Sequence, residues 1–127
     1  MNRTDNQLPF SKIRSTNGLV FLSGELPIPD AGPIPDGIAP QTNLTLERID
    51  ASLRTVGLSL ADVVQVTVHL ARAEDFAEFN ATYRKHFQTP YPTRTTVVAQ
   101  LLVPGARIEI TVTAATRLET EAMPDAR

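Results

Sequence analysis

The chain has 127 residues, of which 42% are hydrophobic, and this predicts one domain over residues 1–127 with its core from about residue 8 to residue 118 and frayed ends. Twelve Lys and Arg against fourteen Asp and Glu give a formal charge of -2, so nucleic acid is not an expected partner. No run approaches the roughly 20 apolar residues of a membrane span, and residues 1–10 are polar where a secretory signal is apolar. We therefore expect a cytoplasmic protein that does not bind membranes.

Cysteine is absent from the sequence, which excludes disulfides, thiolate metal sites and a cysteine nucleophile. The histidines His69 and His86 alone make a poor set of metal ligands, so no metal is expected. The sequence also lacks a phosphate-binding glycine loop and the serine elbow of many hydrolases. Any chemistry must therefore come from Arg, Glu, Asp, Ser, Thr or Tyr side chains or from backbone groups.

The first half of the chain predicts a hairpin, a loop and a helix. The apolar run Leu19–Leu22 lies between turn residues and predicts a buried strand, with which Lys12–Ser15 can pair across an Asn-Gly turn. Five prolines in Pro27–Pro40 predict an exposed loop beside the sheet. In Gln41–Val56 the apolar residues recur at spacings of three and four, which predicts an amphipathic helix closed by Gly57.

The second half predicts a strand, a second helix and two further strands. Val63–Leu70 alternates as a strand does, and one face carries Val64, Val66, Val68 and Leu70. The second helix begins near Glu74 and ends near His86. Its aromatic stripe, which should lie on the sheet, consists of Phe76, Phe79, Tyr83 and Phe87. The β-branched runs Arg94–Gln100 and Arg107–Thr116, separated by a Pro-Gly pair, predict two more strands.

This order of elements predicts an α+β fold, or α/β layer, in which a single sheet has two helices packed on one face. One helical layer leaves the opposite face of the sheet uncovered, with apolar or mixed side chains. A monomer rarely leaves so large a surface in water, so we expect the chain to assemble through that face.

Arg94 lies where a Pro-restricted loop enters a strand otherwise made of Thr and Val, a position where a guanidinium is not expected as ordinary surface. Its planar fork can hold a carboxylate through two hydrogen bonds, and Thr95 and Thr96 offer donors nearby. The alternative is a structural ion pair between Arg94 and an Asp or Glu of its own chain. The pattern alone modestly favours that alternative.

Three further features each have two interpretations. Glu109 is predicted to face away from the isoleucines on either side of it, where it can place a water or take a proton, although the pattern alone favours an ordinary exposed residue. The Ser23-Gly24 pair ends a strand, where a glycine either lets a ligand reach backbone N–H groups or makes a plain turn. Asn80 and Tyr83 lie on the inward half of the second helix, where the pattern favours structural hydrogen bonds.

Five segments, in order along the chain, resemble the pattern of the RidA (YjgF-type) family. They are Pro9–Ser11, Val20–Gly24, Phe79–Tyr83, Pro92–Val97 and Pro104–Ile110. The resemblance extends from about Leu8 to Arg117. It places Arg94 and Glu109 at the positions of the family's active-site residues.

The resemblance implies a fold similar to that of the chorismate-mutase-like homotrimers, with three sheets around a central axis, helices outside and ligand clefts between subunits. It also implies an enzyme, a hydrolase without cofactors that deaminates 2-iminobutanoate, 2-iminopropanoate and related enamines derived from 2-aminoacrylate. The products are 2-keto acids and ammonia. In such an enzyme Arg94 binds the substrate carboxylate and Glu109 positions the attacking water. Candidate binding residues beside them are Ser23, Gly24, Thr96, Phe10, Tyr91 and Asn80.

Three positions depart from the family pattern. Phe10 stands where tyrosine is usual, Glu25 where glutamine is usual, and Thr96 where cysteine is frequent. Because Phe10 leaves an apolar wall, one alternative is a pathway-specific deaminase of a larger amino-unsaturated acid of the 2-aminomuconate type. Another alternative is a non-catalytic trimer that binds keto acids or acts like a chaperone. Ribonuclease activity, attached to some relatives, is disfavoured by the acidic charge balance and by the lack of a histidine pair for proton transfer.

Overall fold

The computed structural model describes residues 7–117, and the ends predicted to be frayed, before Leu8 and after Leu118, lie outside the described residues apart from position 7. The elements in chain order are β1 (Ile13–Thr16), β2 (Leu19–Leu22), α1 (Ile38–Arg54), β3 (Val63–Leu70), α2 (Phe76–Arg84), β4 (Thr93–Val98) and β5 (Ile108–Ala115). Short 3-10 turns lead into β3 and α2. The predicted α+β class is confirmed.

The five strands form one mixed sheet in the order β1-β2-β5-β3-β4. All neighbouring pairs are antiparallel except β3 and β4, which are parallel. Strand β4 lies at one edge of the sheet. β3 therefore lies between the two last strands of the chain, which are not neighbours of each other. Arg94 of β4 pairs with Val66 of β3, and Glu109 of β5 pairs with His69 of β3. These two pairs fix where the candidate site residues lie.

Both helices contribute to a core on one face of the sheet. Val66 and Val68 of β3 and Ile110 of β5 are at most 1% exposed. They belong to one buried cluster together with Leu46, Ile49 and Leu53 of α1 and Phe79, Tyr83 and Phe87 of the α2 region. The predicted inward stripes of both helices are thus largely confirmed. An exception is Phe76, which is exposed at the start of α2.

The opposite face of the sheet, here called the open face, carries the alternate residues of the same strands. Gln65, Thr67 and His69 of β3 lie there beside Thr111 and Thr113 of β5, and all five are partly or fully exposed. Exposed apolar side chains from β2 lie on the same face. As predicted, its character is mixed, and no described helix packs against it.

The Pro27–Pro40 segment differs from the predicted exposed loop at both of its ends. Pro27 is buried, and α1 begins at Ile38, three residues before the predicted start. Pro40 fits in the first turn because the first N–H groups of a helix have no partner within the helix. At the C-terminal end of α1, Gly57 adopts a φ of 81° and the N–H of Leu58 donates to the carbonyl of Leu53 at 3.0 Å, so the glycine closes the helix as predicted.

Two valines, Val56 and Val64, were predicted to face the core and are exposed in the structure. Val56 lies beyond the end of α1 and is exposed. In β3 the register shifts between Val63 and Gln65, so Val63 is buried while Val64 is 40% exposed. An extra residue in one strand of a pair reverses the faces of the residues before it, which explains the error at Val64.

A partly buried ion pair connects the start of α2 to the sheet. Arg107, just before β5, donates from Nε and Nη2 to the two carboxylate oxygens of Asp75 at 3.0 and 2.6 Å. This hydrogen bonding raises the pKa of Arg107, and Asp75 is the residue that immediately precedes α2. A bidentate pair of this kind defines orientation as well as contact, so it helps to hold the aromatic side of α2 above β4.

Candidate functional site

Arg94 lies on the helix side of the edge strand β4, because it shares a face with its buried partner Val66. Its guanidinium carbon is 4.6 Å from the ring centroid of Tyr83, 5.2 Å from that of Phe79 and 5.9 Å from that of Phe76. Within residues 7–117 it forms no ion pair. The alternative of a structural pair with an Asp or Glu is therefore wrong for the described chain.

The arginine lines a cavity of about 320 Å³ between the end of α2 and the loop entering β4. The cavity is lined by Asn80, Tyr83, Arg84, Tyr91, Pro92 and Arg94. This brings together three predicted residues, Arg94, Tyr91 and Asn80. No Asp or Glu is among the lining residues, so a positive charge faces the space without a described neutralising group.

Tyr83 was assigned a structural role, and the structure gives it a place in the cavity wall as well. The residue is only 6% exposed, and its hydroxyl forms no hydrogen bond within residues 7–117. Burial raises the pKa of the Tyr83 phenol, while the positive charge of Arg94 and the approach of its guanidinium to the hydroxyl act in the opposite direction. The predicted internal hydrogen bond of ordinary geometry is not found in the described chain, but the Arg94 side chain interacts with the hydroxyl. Tyr83 instead contributes its ring to the support of Arg94.

Glu109 and Gly24 form a second group. Glu109 faces the open side of β5, and its carboxylate lies directly against the backbone of Gly24, so that a Cβ on Gly24 would lie 2.5 Å from Oε2. A bridge between Glu25 and Ile110 holds this backbone close to β5. The glycine is thus needed for close approach.

Ser23 and Phe10 lie next to this second group. Ser23 donates from Oγ to the carbonyl of Ser11 at 2.6 Å, and its N–H donates to the carbonyl of Lys12 at 3.0 Å. The Ser23 hydroxyl therefore secures the segment that follows Phe10. Phe10 itself is 62% exposed, so its ring is available to a partner or a ligand.

The two groups do not meet within one chain. Arg94 and Glu109 belong to strands on either side of β3, and they project from opposite faces of the sheet. Two strand spacings alone amount to about 10 Å. Thr96 is half-buried on the Arg94 face but outside the cavity lining. One small ligand cannot contact Arg94 and Glu109 of the same chain.

Glu25, one of the three departures, is buried and has two cationic partners. Its carboxylate accepts from Arg48 Nε at 3.0 Å and from Lys12 Nζ at 3.3 Å. The hydrogen bond that Arg48 donates to Glu25 raises the pKa of Arg48. A buried carboxylate requires such pairing, so the acid at this position has a structural explanation within the chain.

The described residues contain no group of three or more His, Asp or Glu side chains that could hold a metal ion. Within the same range, no helix has the length and apolar character needed to cross a membrane.

A mixed sheet with helices on one face and an open second face defines a small α+β protein, and in residues 7–117 an arginine without an ion-pair partner lines a cavity at the edge of the sheet. The family model for Endoribonuclease L-PSP matches residues 1–116. The chain therefore belongs to this family, whose solved members include proteins named YjgF and RidA. The resemblance predicted from five sequence segments is confirmed.

Individual relatives agree over most of their length. The mitochondrial protein mmf2 of Schizosaccharomyces pombe is 37% identical over 110 residues, 84% of this chain and 87% of mmf2. The protein TdcF of Escherichia coli strain K12, named as a reactive intermediate deaminase, is 34% identical over 106 residues, 80% of this chain and 82% of TdcF.

Solved structures of relatives have the same fold. The crystal structure of E. coli TdcF with bound serine has a TM-score of 0.78 at 32% identity, and the match covers 86% of this chain and 89% of TdcF. NMB1025 of Neisseria meningitidis, a member of the YjgF family, also has a TM-score of 0.78, at 34% identity over 87% of this chain and 91% of its own.

Proposed function

We propose that the protein is a deaminase that hydrolyses 2-imino acids such as 2-iminopropanoate and 2-iminobutanoate, with their enamine forms, to 2-keto acids and ammonia. The observation that carries the proposal is the guanidinium of Arg94, which lines a cavity without an acidic partner among residues 7–117. A cation that holds the carboxylate of a 2-imino acid also fixes the adjacent reacting carbon. TdcF is named as a deaminase and was crystallised with serine, which supports a small ligand that carries a carboxylate.

The chemistry needs little beyond positioning, because the imine carbon is already electrophilic. In the proposed reaction water adds to the C=N carbon, Glu109 takes a proton from the water, and the imine nitrogen is protonated. The resulting carbinolamine collapses to a C=O group and releases ammonia. A carboxylate within hydrogen-bond reach of the water is suited to this proton transfer. No cofactor is part of the proposal.

Arg94 and Glu109 project from opposite faces of one sheet, so the proposal requires a second copy of the chain. We propose a homotrimer in which Glu109 and Gly24 of one subunit face the Arg94 cavity of its neighbour, with Phe10, Ser23 and Thr96 near the shared cleft. Such an assembly would also cover the open face of the sheet. Light scattering on the eluting protein tests the trimer directly, and a stable, fully active monomer would refute it.

The test of the activity is ammonia release from imines generated in situ by an amino acid oxidase. We expect wild-type protein to accelerate ammonia release, and Arg94→Ala to lose at least about 100-fold in kcat/KM because binding and orientation are lost together. Arg94→Lys should restore little, since an ammonium cannot reproduce the planar fork. Near-normal turnover by a folded Arg94→Ala protein would contradict the proposal.

Two other functions for the same cavity are separated by the same assay. A pathway-specific deaminase of a larger unsaturated acid would act on bulky imines and leave small imines almost untouched. A non-catalytic sensor or chaperone-like trimer would bind a keto acid through Arg94 without releasing ammonia. The cytoplasmic location predicted from the sequence stays a prediction, since mmf2 is named as mitochondrial.

Ribonuclease activity is a separate candidate because of the description of the family. Proton transfer during RNA cleavage commonly uses an acid and a base close together. His69 lies on the open face, whereas His86 contacts Asn43 of α1 on the helix side at 2.8 Å. Burial lowers the pKa of His86. The two histidines of one chain are therefore poorly placed to act as a pair, which favours the deaminase.

A further inference from the structure

The Arg94 cavity contains a second arginine that the deaminase proposal leaves without a role. Arg84, in the last turn of α2, lines the same cavity as Arg94. Neither arginine forms an ion pair within residues 7–117, and the lining contains no Asp or Glu. Two guanidiniums therefore face one space with no described anion between them.

A basic residue in a last helical turn has an ordinary explanation, because it complements the negative end of the helix dipole. Lys85 is the C-cap of the same helix and meets that need equally well, yet it does not line the cavity. The helix dipole accounts for cations at this end of α2. It does not account for one of them lining the cavity that holds Arg94.

Cations that line another cavity of the described chain are neutralised by its own acids. In the depression between α1 and the Pro-rich loop, Lys12 and Arg48 line the wall, and both are paired with Glu25, while Arg48 also pairs with Asp30. The depression beside Lys12 and Arg48 is therefore balanced in charge, whereas the Arg94 cavity has two positive charges and no acidic side chain in its lining. An anion supplied by a ligand is the group that would complete the Arg94 cavity.

The two arginines of the cavity belong to different elements of the fold. Arg84 projects from the last turn of α2 and Arg94 from the edge strand β4, and both line the cavity. The volume of about 320 Å³ lies at the lower end of the roughly 300–1,000 Å³ typical of small-molecule pockets. The wall also includes Tyr83, whose buried hydroxyl has no partner in residues 7–117.

We propose that the preferred substrate is a 2-imino acid with a second carboxylate, in which Arg94 holds the carboxylate next to the imine and Arg84 binds the distal one. This inference rests on the proposed deaminase function and specifies its substrate class. The reaction itself is unchanged: water adds at the imine carbon and ammonia leaves. A reaction that oxidises a dicarboxylic amino acid would supply such a substrate.

The test compares 2-ketoglutarate with 2-ketobutyrate, which are product analogues with and without the distal carboxylate. Calorimetric titration of the full chain should show tighter binding of 2-ketoglutarate. Arg84→Gln should weaken 2-ketoglutarate binding about fivefold to tenfold at low salt and change 2-ketobutyrate binding less than about twofold. Arg84→Lys should recover part of the loss. The matched control is Lys85→Gln, which removes the same charge from the same helix end and should affect neither ligand.

The activity measurement uses the imines that oxidases produce from glutamate and from 2-aminobutyrate. Wild type should favour the first in kcat/KM, and Arg84→Gln should remove that preference mainly through KM. Equal effects of Arg84→Gln and Lys85→Gln, or no preference in wild type, would overturn the substrate class. Arg94-dependent hydrolysis of the monocarboxylic imine in that case would leave the deaminase proposal intact. The deaminase proposal itself would be refuted if the protein hydrolysed neither imine and if Arg94→Ala bound keto acids as well as the wild type does.

Discussion

The two groups of candidate residues are built differently. Around Arg94, helix α2 supplies three aromatic rings, and the guanidinium lacks an acidic partner in the described chain. Around Glu109, the open face supplies backbone at close range, because the carboxylate lies against Gly24. The first region has a cavity in a single chain. The second is an open surface in a single chain, which the proposed trimer would turn into a cleft.

Under the proposed function, this difference assigns binding to the Arg94 region and the chemical step to the Glu109 region. Arg94 is held by side chains of its own core, so its position is defined before any ligand or subunit arrives, and this lowers the cost of binding. Glu109 is positioned by the strand β5 and by the absence of a side chain on Gly24. If Arg94 and Glu109 act on one ligand, a change at Glu109 on the open face should alter the rate of hydrolysis. A change at Arg94 on the helix side should alter both the rate and the affinity for the ligand.

The sharpest test of this comparison is Glu109→Gln, which keeps the shape and removes the base. We expect kcat for imine hydrolysis to fall by about 100-fold, while the Kd for 2-ketobutyrate, measured by calorimetry, stays within about twofold. The control is Thr113→Ser, four residues further along the same face of β5, which should change neither quantity. Equal losses in kcat and affinity would place Glu109 in the binding role instead.

A mixing experiment tests whether the two regions meet between subunits. Arg94→Ala and Glu109→Gln proteins are each expected to be nearly inactive. If each site takes Arg94 from one subunit and Glu109 from its neighbour, random exchange in equal amounts restores both residues in about one quarter of the sites. Ammonia release should then rise to about a quarter of the wild-type rate. No recovery after exchange, verified by native mass spectrometry, would put the complete site within one chain.

Local sequence pattern predicted the elements well where period and burial agree. The alternation of β3 defined Val63–Leu70 with its observed limits, and the helical period placed Leu46, Ile49 and Leu53 in the core. It failed at Val64, where a bulge reversed the face, and at Ile38, where the prolines of the loop obscured the start of α1. Bulges and helix starts depend on the partner strand and on capping contacts, which periodicity does not contain.

For the candidate site too, local sequence pattern identified some residues and missed others. Arg94 stood out because its chemistry contrasts with the Thr and Val around it, and Gly24 because it ends a strand. The aromatic rings under Arg94 could not be assigned to it, since they lie on α2 and the contact depends on how helix and edge strand pack. Arg84 was missed because, beside Lys85, it has the sequence context of an ordinary helix end. Neighbours brought together by tertiary packing leave no signal in local spacing.

Gly24→Ala tests the close approach on the open face. The added Cβ would lie 2.5 Å from Oε2 of Glu109, but that oxygen is the end of a flexible side chain and can move. We therefore expect little change in melting temperature and a loss of about tenfold in kcat, because a displaced carboxylate no longer places the water. In a Glu109→Gln background the same substitution should add almost nothing. A full additional loss there would mean that Gly24 acts independently of Glu109.

The smallest expected effect is at Tyr83, where the ring and the hydroxyl can be separated. Tyr83→Phe keeps the ring under Arg94 and removes a buried hydroxyl that has no partner within residues 7–117. Leaving such a group unsatisfied is costly, so the free energy of unfolding should stay constant or rise by up to about 1 kcal/mol, measured by urea denaturation at matched protein concentration. Tyr91→Phe, at an exposed position in the same cavity, is the stability control and should be neutral.

Because the ring remains, kcat/KM should change less than about threefold in Tyr83→Phe. Tyr83→Leu, which removes the ring, should raise the Kd for 2-ketobutyrate more than Tyr83→Phe does. If Tyr83→Phe instead lost as much affinity as Tyr83→Leu, the hydroxyl rather than the aromatic face would be the group that supports Arg94.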